Sequence, residues 1–346
     1  MNVLGIETSC DETSAAVVRD GYAVCSNIVF SQVRDHAPYG GVVPEIAARR
    51  HVELLPSVIT QAIAQSGLGW ADMDAIAVTF GPGLATSLLV GLAAAKGLAL
   101  RLDRPLIGVH HLEAHILSAF LGAGAPRVET VCPFTALVVS GGHTCLMRVE
   151  QLGRYRLLGR TVDDAAGEAF DKGANLLGLG YPGGPAIDKA SRGGNPAAVR
   201  FPRGIQRKAV PRIAGLDPDL CFSFSGLKTA LLYHLRSHPL PADSTTALAD
   251  VTASYQEAIV DALLDRVETC LGGTKHFAII GGVSLNRRLR EKARRLANTY
   301  GVQLLLAEPQ FCADNAAMVA GLAGAGQGRR GNAVLFLDAE PNAEIG

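Results

Sequence analysis

Two stretches of this chain follow the same pattern. Near its start, "VLGIET" reads as a strand, "SCDET" as a polar turn and "SAAVVRD" as a second strand; later "FTALVV", "SGGH" and "TCLMRVE" repeat the order. Apolar, β-branched runs around turn-forming residues predict a hairpin each time, and two such hairpins predict an internal duplication. Between them lie a helix around Val43 to Gln65, the strand "DAIAVTF", the break "GPG", a helix from Leu84 and the strand "PLIGV". After the second come a Gly-rich helical zone, helices around Phe224 to Arg236 and Thr245 to Leu271, the strand "HFAII", a basic helix and a last helix near "CADNAAM". Strands alternating with helices give an α/β class. A chain of 346 residues exceeds one comfortable core, and the Gly, Ala and Pro of residues 121–133 suit a linker between two domains.

Bulk charge excludes little: 32 Lys and Arg balance 32 Asp and Glu, so any nucleic-acid contact must come from local patches. Two segments concentrate such charge, "NRRLREKARR" and "RFPRGIQRKAVPR", although a solvated helix face explains the first equally well. Seven scattered cysteines without a C-x-x-C spacing argue against a disulfide framework or a cysteine zinc knuckle. No secretory signal is visible at the start, and Gly83 to Leu100, near the ~20 residues of a membrane span, contains Lys96 and reads as a buried helix. A cytoplasmic protein with no membrane partner is expected.

"HHLEAH" places His111 and His115 four apart on a helical run, about 40° apart around the axis, where both can reach one ion. A zinc protease needs H-E-x-x-H, but here Glu113 lies about 200° around from His111. A zinc deaminase would use His111 and Glu113 but also needs P-C-x-x-C, which is absent. Two histidines and a distant carboxylate would suit iron or zinc with open positions. Asp314 is a candidate third ligand; taken alone it reads more naturally as a helix N-cap. In the second hairpin, Ser140, Gly141 and Gly142 lack bulk, so backbone N–H groups can approach an anion. "GGVSLN" between a strand and a helix is a stronger anion site, and no P-loop motif is present.

Eight segments in order, "GIETSCDETSAAVV", "GPGL", "HHLEAH", "LVVSGGHT", "EAFDKGANLLGLGYPGGPAID", "FSFSGLKT", "GGVSLNRRLR" and "DNAAM", together resemble the bacterial tRNA adenosine threonylcarbamoyltransferase family, once described as glycoprotein endopeptidases. The resemblance implies an actin, sugar kinase and Hsp70 type of fold with two lobes around a nucleotide cleft. It implies an N-terminal lobe of residues 1–125, joined by a C-terminal helix of about 310–346, and a second lobe of 126–309. It implies transfer of threonylcarbamoyl from threonylcarbamoyl-AMP to the N6 amine of adenosine 37 in tRNAs reading codons that begin with A. His111, His115 and Asp314 become ligands of one ferrous iron, with zinc as the alternative, which replaces the cap reading of Asp314.

Substrate or nucleotide contacts carry over to Val138, Val139, Ser140, Gly141, Gly142, Asp171, Gly184, Asp188 and Asn286. The amine must lose a proton, and Asp11 and Glu12 are the candidate carboxylates, against a reading as solvated turn acids. Relatives often have Thr where Ala313 precedes Asp314, which puts tuning around the metal in doubt. Implied partners are tRNA, a paralogous non-catalytic subunit of the TsaB type, a small ATPase of the TsaE type and a separate synthase supplying threonylcarbamoyl-AMP. A small-molecule kinase of the same fold, a regulatory scaffold and a metalloprotease are the alternatives.

Overall fold

The computed structural model describes residues 1–203, 215–241 and 244–345. In chain order the elements are β1 (Asn2–Glu7), β2 (Glu12–Arg19), β3 (Ala23–Ser31), α1 (Val33–His36), α2 (Pro44–Ser66), β4 (Ala75–Gly81), α3 (Ala85–Leu102), β5 (Leu106–His110), α4 (His111–Ser118) and α5 (Val128–Val131). They continue with β6 (Phe134–Val139), β7 (Thr144–Gln151), β8 (Arg154–Arg160), α6 (Ala166–Leu176), α7 (Gly183–Ala190), α8 (Ser225–Ser237), α9 (Thr245–Cys270) and β9 (His276–Ile280). The last are α10 (Arg287–Tyr300), β10 (Gln303–Leu306), α11 (Pro309–Cys312) and α12 (Ala316–Gly324).

Two compact units divide the chain: residues 1–131, 151–155 and 307–346 form one, and 132–150 with 156–306 the other. Each contains a five-stranded sheet, ordered β3-β2-β1-β4-β5 in the first and β8-β7-β6-β9-β10 in the second. The leading hairpins are antiparallel, β1 with β2 and β6 with β7, while β4 and β9 join β1 and β6 in parallel. The duplication expected from the hairpins is therefore a duplication of sheet topology. Strands β3, β8 and β10, which the sequence pattern did not reveal, complete the two sheets.

In the first unit, side chains alternate across β1. Leu4 and Ile6 join Leu55, Ile59 and Leu92 of α2 and α3 in one core. Gly5 faces the other way, where a Cβ would stand 2.5 Å from the carbonyl oxygen of Ala316 and 2.8 Å from Ala320. That missing side chain lets α12 lie directly on the sheet. Helix α12 also packs on α4, which continues straight from β5 and is buried along nearly its whole length. The two ends of the sequence meet here. Helix α3 is apolar and long enough for a membrane span by composition. Its Leu92, Ala95 and Ala99 are buried, but Leu89 and Leu100 are exposed, so the expected buried helix is buried on one face only.

The second unit is built on α9, whose Tyr255 is fully buried and donates to the carbonyl of Ala169 at 2.9 Å. Gly281, at φ +92°, ends β9 against the backbone of Val139, whose oxygen a Cβ would meet at 2.4 Å. Only glycine takes that backbone conformation without strain.

Candidate metal centre and substrate loops

Helix α4 presents His111 and His115 on one face, and α12 is preceded by Asp314. One donor atom from each lies within 4.8 Å of the others. Nε2 of His115 is 3.0 Å from Oδ1 of Asp314, and Nε2 of His111 is 3.6 Å from the same oxygen. The two rings meet edge to face, with centroids 4.6 Å apart. Asp314 does not cap α12. Asn315 does, its Oδ1 accepting the N–H of Met318 at 3.2 Å, which leaves the neighbouring carboxylate turned to the histidines. Ala313, where a hydroxyl was expected, contributes its carbonyl to the side chain of Asn315.

Behind His111 stands Glu7, at the end of β1 and completely buried. Its Oε2 lies 3.2 Å from Nδ1 of His111 and accepts the hydroxyl of Thr79 at 2.5 Å, while Oε1 accepts the N–H of Ser9 at 2.5 Å. Burial alone would raise the Glu7 pKa, but the charge and hydrogen bond of His111 outweigh it and hold the carboxyl below its ordinary value. Burial conversely lowers His111, and the charges of Asp314 and Glu7 override it, pushing the imidazole up to about 9.

The donor set fits a metal ion. With the Nδ1 proton given to Glu7, the Nε2 lone pair of His111 faces a carboxylate oxygen, an arrangement that is attractive only with a proton or a cation between them. A metal would displace that proton, as binding at imidazole sites generally does. Nδ1 of His115 is buried and makes no hydrogen bond among the described residues, so the contact at Nε2 is the one that fixes this ring.

The turn Ser9 to Glu12 lines the same region. Asp11 is only 7% exposed, so the reading as a solvated turn acid does not hold. Burial, together with the charges of Asp11 and Asp314, raises Glu12 well above the ordinary carboxylate range. Burial and the same neighbouring acids raise the Cys10 thiol. From α2, His51 fixes the turn, Nε2 contacting the carbonyl of Cys10 at 2.9 Å and Nδ1 the hydroxyl of Thr13 at 2.7 Å. Glu113 is raised by burial against a hydrogen bond from Tyr155, and it takes no part in the three-residue cluster.

The other expected site residues belong to the second unit. Val138 and Val139 are buried in β6, Ser140 is nearly so, and Gly141 and Gly142 are exposed, with nothing within 4 Å of where a side chain would be. The Ser140 carbonyl accepts the N–H of Gly167 at 3.2 Å, docking α6 against the turn. Asp171 accepts the N–H of Gly183 at 2.7 Å, and Gly184 beside it opens on free space. Oδ1 of Asp188 is buried and makes no hydrogen bond among the described residues; it lies 3.9 Å from Nε of Arg287. Asn286 caps α10 through Leu289 N–H at 3.0 Å and donates to Gln256 at 2.7 Å, so its amide is held from both ends.

Much of the charge on α10 is already paired. Arg288 binds Glu257 in bidentate fashion, at 2.6 and 2.9 Å, and Lys292 reaches Glu257 and Asp261. Arg295 pairs with Glu291 at 2.6 Å, whereas Arg287 is half exposed. Of the second basic segment, Arg203 pairs with Asp261 at 2.5 Å, and residues 204–212 lie outside the described residues.

The family model for tRNA N6-adenosine threonylcarbamoyltransferase matches residues 23–321. The chain belongs to that family. It is 50% identical over 322 residues to the enzyme of that name from Trichlorobacter lovleyi, covering 92% of this chain and 90% of the relative. It is 51% identical to those from Magnetococcus marinus, over 92% and 90%, and Anaeromyxobacter dehalogenans, over 92% of each. Solved structures of similar fold include HypF from T. kodakarensis (TM-score 0.57, 16% identity, 97% of this chain and 47% of that one). Another is the activator of 2-hydroxyisocaproyl-CoA dehydratase from Clostridium difficile (TM-score 0.52, 14% identity, 94% and 95%). These establish a two-unit α/β fold of the kind expected. Family membership makes the chain a transferase of tRNA modification and does not favour the kinase or protease alternatives.

Sequence reasoning missed Glu7, Ser9 and Thr79. The signal for Glu7 was present, as an acid closing an otherwise apolar strand.

Proposed function

We propose that this chain transfers the threonylcarbamoyl group from threonylcarbamoyl-AMP to N6 of adenosine 37 in tRNAs reading codons that begin with A, with His111, His115 and Asp314 holding one ferrous iron or zinc ion. The observation that supports this most is the meeting of three metal-donor atoms within 4.8 Å in a chain of this family. In the reaction the amine nitrogen bonds to the carbamoyl carbon, the bond from that carbon to the phosphate oxygen breaks, and AMP leaves. The metal, when bound, supplies a positive charge that orients and polarises the transferred group.

The remaining work falls to the chain's own groups. Asp11 and Glu12 supply carboxyls for the proton that the amine loses. Gly141 and Gly142 bring backbone N–H groups to the nucleotide or threonylcarbamoyl-AMP, while Ser140, whose own N–H donates to the His143 carbonyl at 2.8 Å, closes the turn and Val138 and Val139 hold it rigid from the strand. Asp171, Gly184, Asp188 and Asn286 receive the ribose and base through hydrogen bonds and open backbone. Holding the pair in reacting geometry can contribute up to about 7 to 11 kcal/mol. The resemblance further supports a cytoplasmic assembly with a paralogous non-catalytic subunit and a small ATPase, fed by a separate synthase.

Transfer of labelled threonylcarbamoyl from threonylcarbamoyl-AMP to tRNA, with those partners present, tests the reading. Transfer that a chelator abolishes and added iron or zinc restores is expected. Full transfer by metal-free protein carrying His111→Ala would refute the metal's role.

A further inference from the structure

Glu7 places a fully buried carboxyl where the strand pattern calls for an apolar residue. An ionised carboxylate buried this completely is strongly unfavourable unless donors surround it. Ser9 and Thr79 tie it to its own turn and to β4, whose Val78 pairs with Ile6. The contact to His111 at 3.2 Å is different: it reaches across 104 residues to the first residue of α4. Strand alternation explains the reach, because Glu7 falls on the same face as Gly5, the face covered by α12.

Resting on the reading of His111, His115 and Asp314 as metal ligands, we propose that Glu7 is a positioning residue that selects the tautomer of His111. By taking the proton of Nδ1, it turns the Nε2 lone pair toward Oδ1 of Asp314 and the ion. A carboxylate can impose this choice because, ionised, it only accepts hydrogen bonds. The Ser9 hydroxyl, 3.2 Å from the same nitrogen, donates or accepts equally well and imposes nothing. Glu7 also balances charge: a dication with two neutral imidazoles and one carboxylate retains one positive charge, and Glu7 cancels it without touching the ion.

The substitution Glu7→Gln tests this in the full-length chain. If the amide oxygen keeps the Ser9 N–H, the amide nitrogen faces Nδ1 of His111 and donates to it, so the ring carries its proton on Nε2, where the metal must bind. Dissociation constants for zinc, and anaerobically for ferrous iron, are read by competition with a chromophoric chelator. A loss of about 10- to 100-fold is expected, the range for removing such a partner of a metal-bound histidine, with transfer recovering as metal is raised. Wild-type affinity in Glu7→Gln overturns the proposal.

A second measurement does not depend on the variant folding. In zinc-loaded wild-type protein, long-range proton–nitrogen NMR correlations should show His111 protonated at Nδ1 and metal-bound at Nε2; binding through Nδ1 overturns the proposal. Wild-type protein that binds neither ion overturns the metal assignment and this role together, an outcome distinct from wild-type binding that Glu7→Gln leaves unchanged.

Discussion

The turn after β1 and the turn after β6 occupy the same place in the same sheet topology, yet they are made of opposite materials. The first packs Glu7, Ser9 and Asp11 out of water, ties Glu7 to Thr79 and His111, and holds the Cys10 carbonyl on His51. The second leaves Gly141 and Gly142 exposed, with open space where a side chain would stand. A site that must present fixed donors to an ion needs buried, mutually bonded side chains. A site that must admit a nucleotide needs backbone with nothing on it. The two turns are equivalent in topology, and under the proposed assignment side-chain chemistry would suit the first to an ion and the second to a nucleotide.

Four substitutions or conditions probe that division, beginning with the largest effect. His115→Ala removes a buried donor from the first site, and transfer should fall by more than the ~100-fold limit for an outer partner, while nucleotide affinity in the second unit is unchanged; labelled transfer and nucleotide titration read the two. Gly5→Val forces α12 off the sheet, since its Cβ would stand 2.5 Å from the backbone of Ala316. Urea unfolding should show a loss of about 1–3 kcal/mol, with metal affinity falling because Asp314 moves with the helix. Gly142→Ala enters open space, so stability should stay within about 0.5 kcal/mol. The KM for threonylcarbamoyl-AMP should nonetheless rise roughly tenfold, the equivalent of about 1.4 kcal/mol.

The smallest effect concerns a second buried acid. Glu257 on α9 holds α10 through Arg288 and Lys292. Burial would raise it, but Arg288 and Lys292 prevail and bring it down to about 2 from an ordinary 4.5. Its contribution is present above pH 4.5 and is lost as pH falls toward 2. After solvent screening it should amount to about 1 kcal/mol, seen as a fall in the urea midpoint over that window that Glu257→Gln flattens.

The sequence made the buried strands of the fold legible, the edge strand β5 among them, and left its exposed or short strands obscure. Hairpins β1–β2 and β6–β7 and the strands β4, β5 and β9 are continuous apolar runs and were found. Strand β3 is an edge with an irregular, largely exposed pattern, β8 is an edge interrupted by arginines, and β10 is four residues long. Strands this exposed or this short carry no clear period. In the candidate centre, the histidines were legible because helical spacing brings them together. Asp314 was assigned only through the family resemblance, because it lies 199 residues from His115 and its local pattern resembles a helix cap. Only the packing of α12 onto Gly5 and α4 joins them, and spacing along the chain does not encode that packing.

The central claim is that two imidazoles and one carboxylate share an ion. Anomalous diffraction from anaerobically metal-loaded crystals measures this directly. A single peak at about 2.0–2.2 Å from Nε2 of His111, Nε2 of His115 and an oxygen of Asp314 is the predicted result. A loaded, active protein whose metal peak lies away from these three atoms would contradict it.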